Sequence, residues 1–318
     1  MVDRGPLRIV FFGTPAFAVP TLEALLASRH SVVAAVTQPD RPRGRGQKTS
    51  SAPVKACAVA ASIPVLQPDT LKDGSLAADL TRFDADLGVV AAYGKILTDG
   101  VLVAPRLGIL NVHASLLPRY RGAAPVHRAV MAGEQETGIT IMRVVKALDA
   151  GPMLATARRP IGPDETSDEI EHDLARIGAG LAVTTIERLL AGELVEAAQD
   201  EAGATYARRL TKDEGRVDWA WPAGQIHNLI RGLHPWPHAF TFLDRQRVIL
   251  LRSTASAEHC NAAPGTVLEA GGDRLRVAAG SGVVDVVELQ AEGKRPMSAR
   301  EFLAGHPIPS GAVFTAHA

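Results

Sequence analysis

Leu7 to Ser28, LRIVFFGTPAFAVPTLEALLAS, decides the fold. Its opening run, LRIVFF, is apolar at consecutive positions rather than alternate ones, so it reads as a strand buried on both faces. Gly13 then turns the chain, and Phe17, Leu22, Leu25 and Leu26 recur at helical spacing. The same rhythm returns with strands predicted over Val32 to Thr37, Leu87 to Ala92 (LGVVAA) and Ile109 to Val112. Such strands alternating with helices predict an open, doubly wound α/β domain whose parallel sheet is covered on both sides.

Downstream, six acids between Asp164 and Asp173 mark a helix start with Thr166 and Ser167 as capping candidates, and the helical pattern runs through Leu190. The acids read as a solvated first turn. After Gly192 the pattern changes to short strand-like runs, RVILLRS, GTVLEA, RLRVAA and GVVDVVEL, separated by Gly, Asp or Pro. That spacing predicts a small β-barrel or sandwich. The expected layout is therefore residues 1–202 as an α/β domain, 203–212 as a linker and 213–318 as a β domain. Two domains also suit a length of 318 residues.

Composition narrows the function classes. Lys plus Arg is 34 and Asp plus Glu is 34, so global charge does not announce a nucleic-acid binder. Residues 208–318 carry 13 basic and 11 acidic side chains, too small an excess to mark RNA binding. No apolar stretch approaches the roughly 18 residues of a membrane span. The N-terminus reads as a first strand rather than a signal peptide, and a soluble, cytoplasmic monomer is expected. Cys57 and Cys260 are too few for a disulfide framework or a four-cysteine zinc site.

The chemistry concentrates in Asn111 to Pro125, NVHASLLPRYRGAAP, at the end of a predicted strand, where open α/β sheets place their crevices. Asn111 and His113 are two apart and share one face of an extended strand. Leu116, Leu117 and Pro118 form an apolar loop suited to a flat ring, with Arg119 and Arg121 expected at its rim. No acid occurs from Gly100 to Gly133, while Arg106, Arg119, Arg121 and Arg128 do, which predicts positive potential. Asp149, in KALDAG, follows a second apolar segment. It is either a turn residue or a carboxylate that orients His113.

Other motifs fail. GRGQKT at Gly44 has no strand leading in and no helix opening from it, so nicotinamide binding is rejected. A phosphate loop ending in GK[ST] is absent, and Ser115 is not in G-x-S-x-G. In HPWPH the prolines prevent a helical metal pair of His234 and His238, and no metal is expected. Arg41 to Lys55, RPRGRGQKTSSAPVK, holds five basic and no acidic residues; it is expected to be mobile alone and able to order on phosphates.

Taken together, FFGTPAFA, TQPDRPRGRG, VVAAYG, NVHASLLPRYRGAAP, ETGITIM, LDAGPM, APGTVLEA and KRPMSAREFL closely resemble the methionyl-tRNA formyltransferases over nearly the whole chain. The resemblance implies a Rossmann-like formyltransferase domain that binds 10-formyltetrahydrofolate, followed by an OB-like barrel that helps hold tRNA. It places the catalytic trio on Asn111, His113 and Asp149, and the folate loop on Ser115, Leu116, Leu117 and Pro118. The acceptor-stem grip falls on Arg41, Arg43, Arg45 and Lys48, with initiator methionyl-tRNA as partner. Rival readings are a formyltransferase acting on an amino sugar nucleotide, a formyltetrahydrofolate hydrolase and a non-catalytic RNA-binding protein.

Overall fold

The computed structural model describes residues 5–43, 48–309 and 311–317, with the backbone alone for 41–43 and 48–50. The first apolar run forms β1 (Arg8–Gly13), buried from Ile9 onward, and leads through α1 (Val19–Leu26) to β2 (Ser31–Val36). The basic stretch that follows contributes two arms, β3 (Arg41–Arg43) and β4 (Lys48–Ser50), paired antiparallel with Arg43 opposite Lys48. Composition points to a mobile loop, whereas its arms are a β-ribbon; Arg45 lies outside the described residues.

Alternation resumes with α2 (Pro53–Ala60), β5 (Val65–Leu66), α3 (Ser75–Arg82), β6 (Leu87–Ala91), α4 (Asp99–Leu102) and β7 (Ile109–His113). Next come β8 (Arg121–Gly122), α5 (Pro125–Met131), β9 (Glu136–Arg143), β10 (Met153–Pro160), α6 (Ser167–Ala191) and β11 (Tyr206–Ala207). Seven strands make one sheet in the order β10-β9-β7-β6-β1-β2-β5. Its five strands from β7 to β5 are parallel, as expected of strands apolar on both faces. β9 runs antiparallel to β7. That reversal is invisible in the sequence, because Thr137 to Met142 are buried on both faces and read like any parallel strand.

One sheet face packs Val10, Phe12, Ala34 and Val36 against Leu76, Leu80, Leu97 and Val101. Burying each large apolar side chain of this kind contributes about 1.5–3 kcal/mol. The packing thereby fixes the strand ends that carry the site.

The residues form two compact units, Met1–Pro125 with Thr137–Arg159 and Glu171–Ala207, and Val126–Glu136 with Pro160–Ile170 and Arg208–Ala318. Two short segments from the middle of the sequence thus belong to the second unit. That unit holds α7 (Ala223–Gly232), β12 (Ala239–Leu243), β13 (Gln246–Ser256), β14 (Val267–Gly271), β15 (Arg274–Ala278), β16 (Val283–Ala291), β17 (Met297–Ser298) and α8 (Ala299–Gly305). Its antiparallel sheet has the order β12-β13-β16-β15-β14, with β17 on β16. Residues 311–315 strap the two edges of this OB-like sheet: Phe242 and Thr315 exchange backbone hydrogen bonds, and Ala312 accepts from Val267. The edges are thereby protected from pairing with other chains.

The start of α6 settles which residue caps it. Thr166 donates its backbone N–H to Glu169 Oε2 at 2.8 Å and accepts the Glu169 amide at 3.4 Å, a reciprocal capping box. Ser167 instead donates its hydroxyl to the Gly232 carbonyl.

Candidate active site

Asn111 and His113 stand on β7, opposite Met142 and Thr140 of β9, so their side chains project to one face. The imidazole is 5% exposed. Its Nε2 lies 3.1 Å from the Tyr120 carbonyl, which can only accept, so this nitrogen carries a proton. The other nitrogen, Nδ1, faces Asp149 Oδ2 at 3.7 Å. The fold therefore brings together an imidazole and a carboxylate that the sequence alone allows to be either partners or unrelated residues.

Asp149 reaches that place on a tight loop between β9 and β10. Its φ of 47° lies in the left-handed region, which Asp tolerates better than most residues. Gly151 is required two residues on, because a Cβ there would overlap the Arg143 carbonyl. The carboxylate is anchored by the Gly122 amide, which donates to Oδ2 at 2.8 Å. At Gly122 itself φ is 115°, and a Cβ would come within 2.9 Å of the Ala207 carbonyl. Glycine is needed in both loops that frame the pair.

The apolar loop starts one residue beyond β7 and is held from within. Ser115 is buried and donates its hydroxyl to the Arg119 carbonyl at 2.7 Å, so it shapes the loop rather than facing outward. Thr140 Oγ1 donates to the Ser115 carbonyl and accepts the Leu117 amide. The Leu117–Pro118 peptide is cis. Leu116 and Pro118 remain half-buried and form an apolar wall.

Two expectations about charge are corrected. Arg121 is not a rim residue: it is 2% exposed, and its guanidinium donates to both Glu201 oxygens at 3.0 and 2.7 Å. Those hydrogen bonds push its pKa above the usual arginine value. Nor is the acid-free stretch a field of open cations, since Arg106 pairs with Asp86 and Arg128 with Glu214. Their acids come from distant sequence, where a local count could not find them.

The structure adds residues that sequence reasoning missed. At the ends of β1, β2 and β6 the Tyr93 carbonyl accepts from Thr14 Oγ1 at 3.2 Å and Gln38 Nε2 at 2.8 Å. Tyr93 itself packs edge-on against Phe12, and burial pushes its phenol up to about 12. Beside the basic ribbon, Lys55 bridges Asp40 Oδ2 and Gln67 Oε1, and its hydrogen bond holds the Asp40 carboxyl below the usual range. Gln199 reaches the Asp149 loop from after α6. None of these has a local signature.

Residues 7–186 match the family described as formyl transferase, and residues 209–307 match the formyl transferase C-terminal domain. The chain is 45% identical over 309 residues to a methionyl-tRNA formyltransferase of Sorangium cellulosum, covering 96% of this chain and 99% of that one. It is 48% identical over 303 residues to a methionyl-tRNA formyltransferase of Paracoccus denitrificans, covering 95% and 99%. Among solved structures the fold is similar to that of the sugar 3N-formyl transferase WlaRD. The TM-score is 0.67 at 16% identity, covering 91% of this chain and 99% of that one.

Proposed function

Since the chain belongs to the methionyl-tRNA formyltransferase family, we propose that it transfers the formyl group of 10-formyltetrahydrofolate to the free α-amine of methionyl initiator tRNA. The observation that carries this reading is the approach of His113 to Asp149 at 3.7 Å, beside Asn111 on the same strand and the apolar loop that follows it.

In the proposed reaction the amine attacks the formyl carbon. A C–N bond forms as the carbonyl π electrons move to oxygen. Asn111 supplies a hydrogen-bond donor for that developing oxyanion, while His113, whose Nε2 proton goes to the Tyr120 carbonyl, turns its Nδ1 edge towards Asp149. Collapse breaks the bond from carbon to the folate nitrogen, which takes up a proton as the amine gives one up. Asp149 faces the imidazole across 3.7 Å and relays that proton through water, a role suited to a carboxylate beside the reacting atoms.

The co-substrate fits the residues present: Leu116 and Pro118 offer an apolar wall to a flat ring, the buried Leu117 supports them, and Ser115 secures the loop from inside. Arg41, Arg43, Arg45 and Lys48 take the phosphates of the acceptor stem, positioning the ester end without reading bases. Residues 1–202 carry the chemistry, 203–212 join the domains and 213–318 assist tRNA binding. We place the enzyme in the cytoplasm as a monomer.

The test is a set of single-turnover incubations of the protein and the labelled formyl donor with charged initiator tRNA, with an amino sugar nucleotide, and with no acceptor. Label recovered in the aminoacyl ester supports the proposal. Label moved to an amino sugar nucleotide, formate released without tRNA, or tRNA bound without transfer would each assign the chain to a different activity.

A further inference from the structure

Asp149 lies in a loop whose own backbone supplies the Ala150 to Ala147 hydrogen bond at 3.4 Å, and whose shorter hydrogen bonds come from outside it. Its own carbonyl and that of Gly151 both accept from Gln199 Nε2, each at 2.8 Å. An amide group has two N–H donors, so one side chain spends its whole donor capacity on this loop. Gln199 Oε1 accepts from Arg121 Nε at 2.9 Å. A guanidinium can only donate, so Arg121 dictates which end of the amide faces which way. Arg121 Nη1 and Nη2 each donate to Glu201, and the guanidinium is buried.

The same stretch of chain holds the other side of the pair. Thr205 Oγ1 accepts the Tyr120 amide at 2.8 Å, and the Thr205 carbonyl accepts the Arg121 amide at 2.9 Å. Tyr120 in turn presents the carbonyl that fixes His113. Ala197 exchanges backbone hydrogen bonds with Met153, just after the Asp149 loop. Residues 197–207 therefore form a strap across two loops, one bearing the carbonyl that holds the imidazole and the other the carboxylate.

We propose that Gln199, locked in orientation by Arg121, is a positioning residue that sets the Asp149 carboxylate against His113. The inference rests on the reading of Asn111, His113 and Asp149 as the reacting group of a formyl transfer. It also has a reporter that needs no substrate, because the Gly122 amide donates to Asp149 Oδ2 and feels any shift of the carboxylate.

The experiment compares the full-length wild type with Gln199→Ala, Gln199→Glu and Asp149→Ala. Amide hydrogen exchange at Gly122 is read by NMR, and formyl transfer by steady-state kinetics. Gln199→Glu keeps an acceptor for Arg121 and loses both donors, so it isolates the hydrogen bonds to the loop even if the alanine variant folds poorly. Both Gln199 variants are expected to speed Gly122 exchange towards the Asp149→Ala level while amides of β7 and β9 stay protected. Their kcat should fall about 10²-fold, as a misplacement near 1 Å does. KM for both substrates should stay within about twofold of the wild-type values, the signature of an interaction used in the transition state. Unchanged exchange at Gly122, or a Gln199→Glu enzyme as fast as wild type, overturns the proposal. Wild-type protein that transfers no formyl group while Gly122 still responds to Gln199 would sink the functional reading and leave the clamp standing.

Discussion

His113 Nδ1 stands 3.7 Å from Asp149 Oδ2, within reach of an ion pair and beyond a hydrogen bond. The gap has an identifiable cause. Oδ2 is drawn to the Gly122 amide at 2.8 Å, and the imidazole is drawn to the Tyr120 carbonyl at 3.1 Å. Each partner is held by its own loop, so the two are pre-aimed at one another without being locked. Such hydrogen bonds are often long in the free enzyme and tighten once substrate fills the site.

Removing either partner should stop the reaction without unfolding the chain. His113→Ala and Asp149→Ala are each expected to lower kcat about 10²–10⁴-fold, the usual contribution of a positioned acid or base. Asn111→Ala should lower it about 10²–10³-fold, the effect of losing one oxyanion donor. Steady-state rates with charged initiator tRNA check all three, alongside thermal melts to confirm folding. Near-normal turnover in any of them removes that residue from the mechanism.

The basic ribbon makes a separate prediction about salt. Arg45→Ala should raise KM for tRNA and leave the affinity for the folate donor unchanged. Each phosphate no longer gripped should reduce the slope of log affinity against log salt by about 1. Filter binding from low to high salt, with folate binding followed by fluorescence, measures both. An unaltered slope would assign the tRNA grip to other residues.

Much of this fold is legible because β1, β2, β6 and β7 are apolar on both faces and so announce a covered parallel sheet. Asn111 and His113 are legible as a pair because two residues at this spacing on one strand must share a face. The position of Asp149 is not, since it depends on a loop geometry that Gly151 permits and Gln199 holds. Arg121 misleads for a related reason: an arginine in a loop looks exposed until its acid is known, and Glu201 lies 80 residues away. Strand direction is illegible in β9, where burial on both faces is compatible with either sense.

The pairing of Arg128 with Glu214 turns a misread cation into a stability prediction. Glu214 is 16% exposed; its carboxylate takes Arg128 Nη1 at 2.5 Å and the Thr211 amide at 2.9 Å. Arg128 above all holds its pKa down, at about 2. Glu214→Ala should cost about 1–3 kcal/mol, since it removes a cap and leaves a largely buried guanidinium without its anion. Urea unfolding should show a lower midpoint at an unchanged slope. A midpoint equal to wild type would mean that solvent replaces the pair at no cost.

Acidification should destabilise the chain in two separable steps. His30, His234 and His238 are each held below the ordinary histidine value of 6.5, in every case mainly by burial, with Arg29 lowering His30 and Arg247 lowering His238. His30 Nδ1 accepts the Leu7 amide, which requires it to be unprotonated. The His234 and His238 rings lie 5.4 Å apart, and the Nδ1 atoms of both are buried without a hydrogen-bond partner among the described residues. A depressed histidine pKa means that the unfolded chain takes up protons first. Stability is therefore intact above the unfolded value and is lost as pH falls from 6.5 towards the folded values. Glu214 has the same sign in a lower window, since its contribution is lost only as pH falls from 4.5 towards about 2. Melting temperatures recorded from pH about 7.5 to about 5 should fall through the histidine window before the Glu214 contribution is lost. Replacing His234 and His238 together by Asn should flatten that first decline, leaving the remainder carried by His30. If the double variant declines as steeply as wild type, these two rings do not set the pH response.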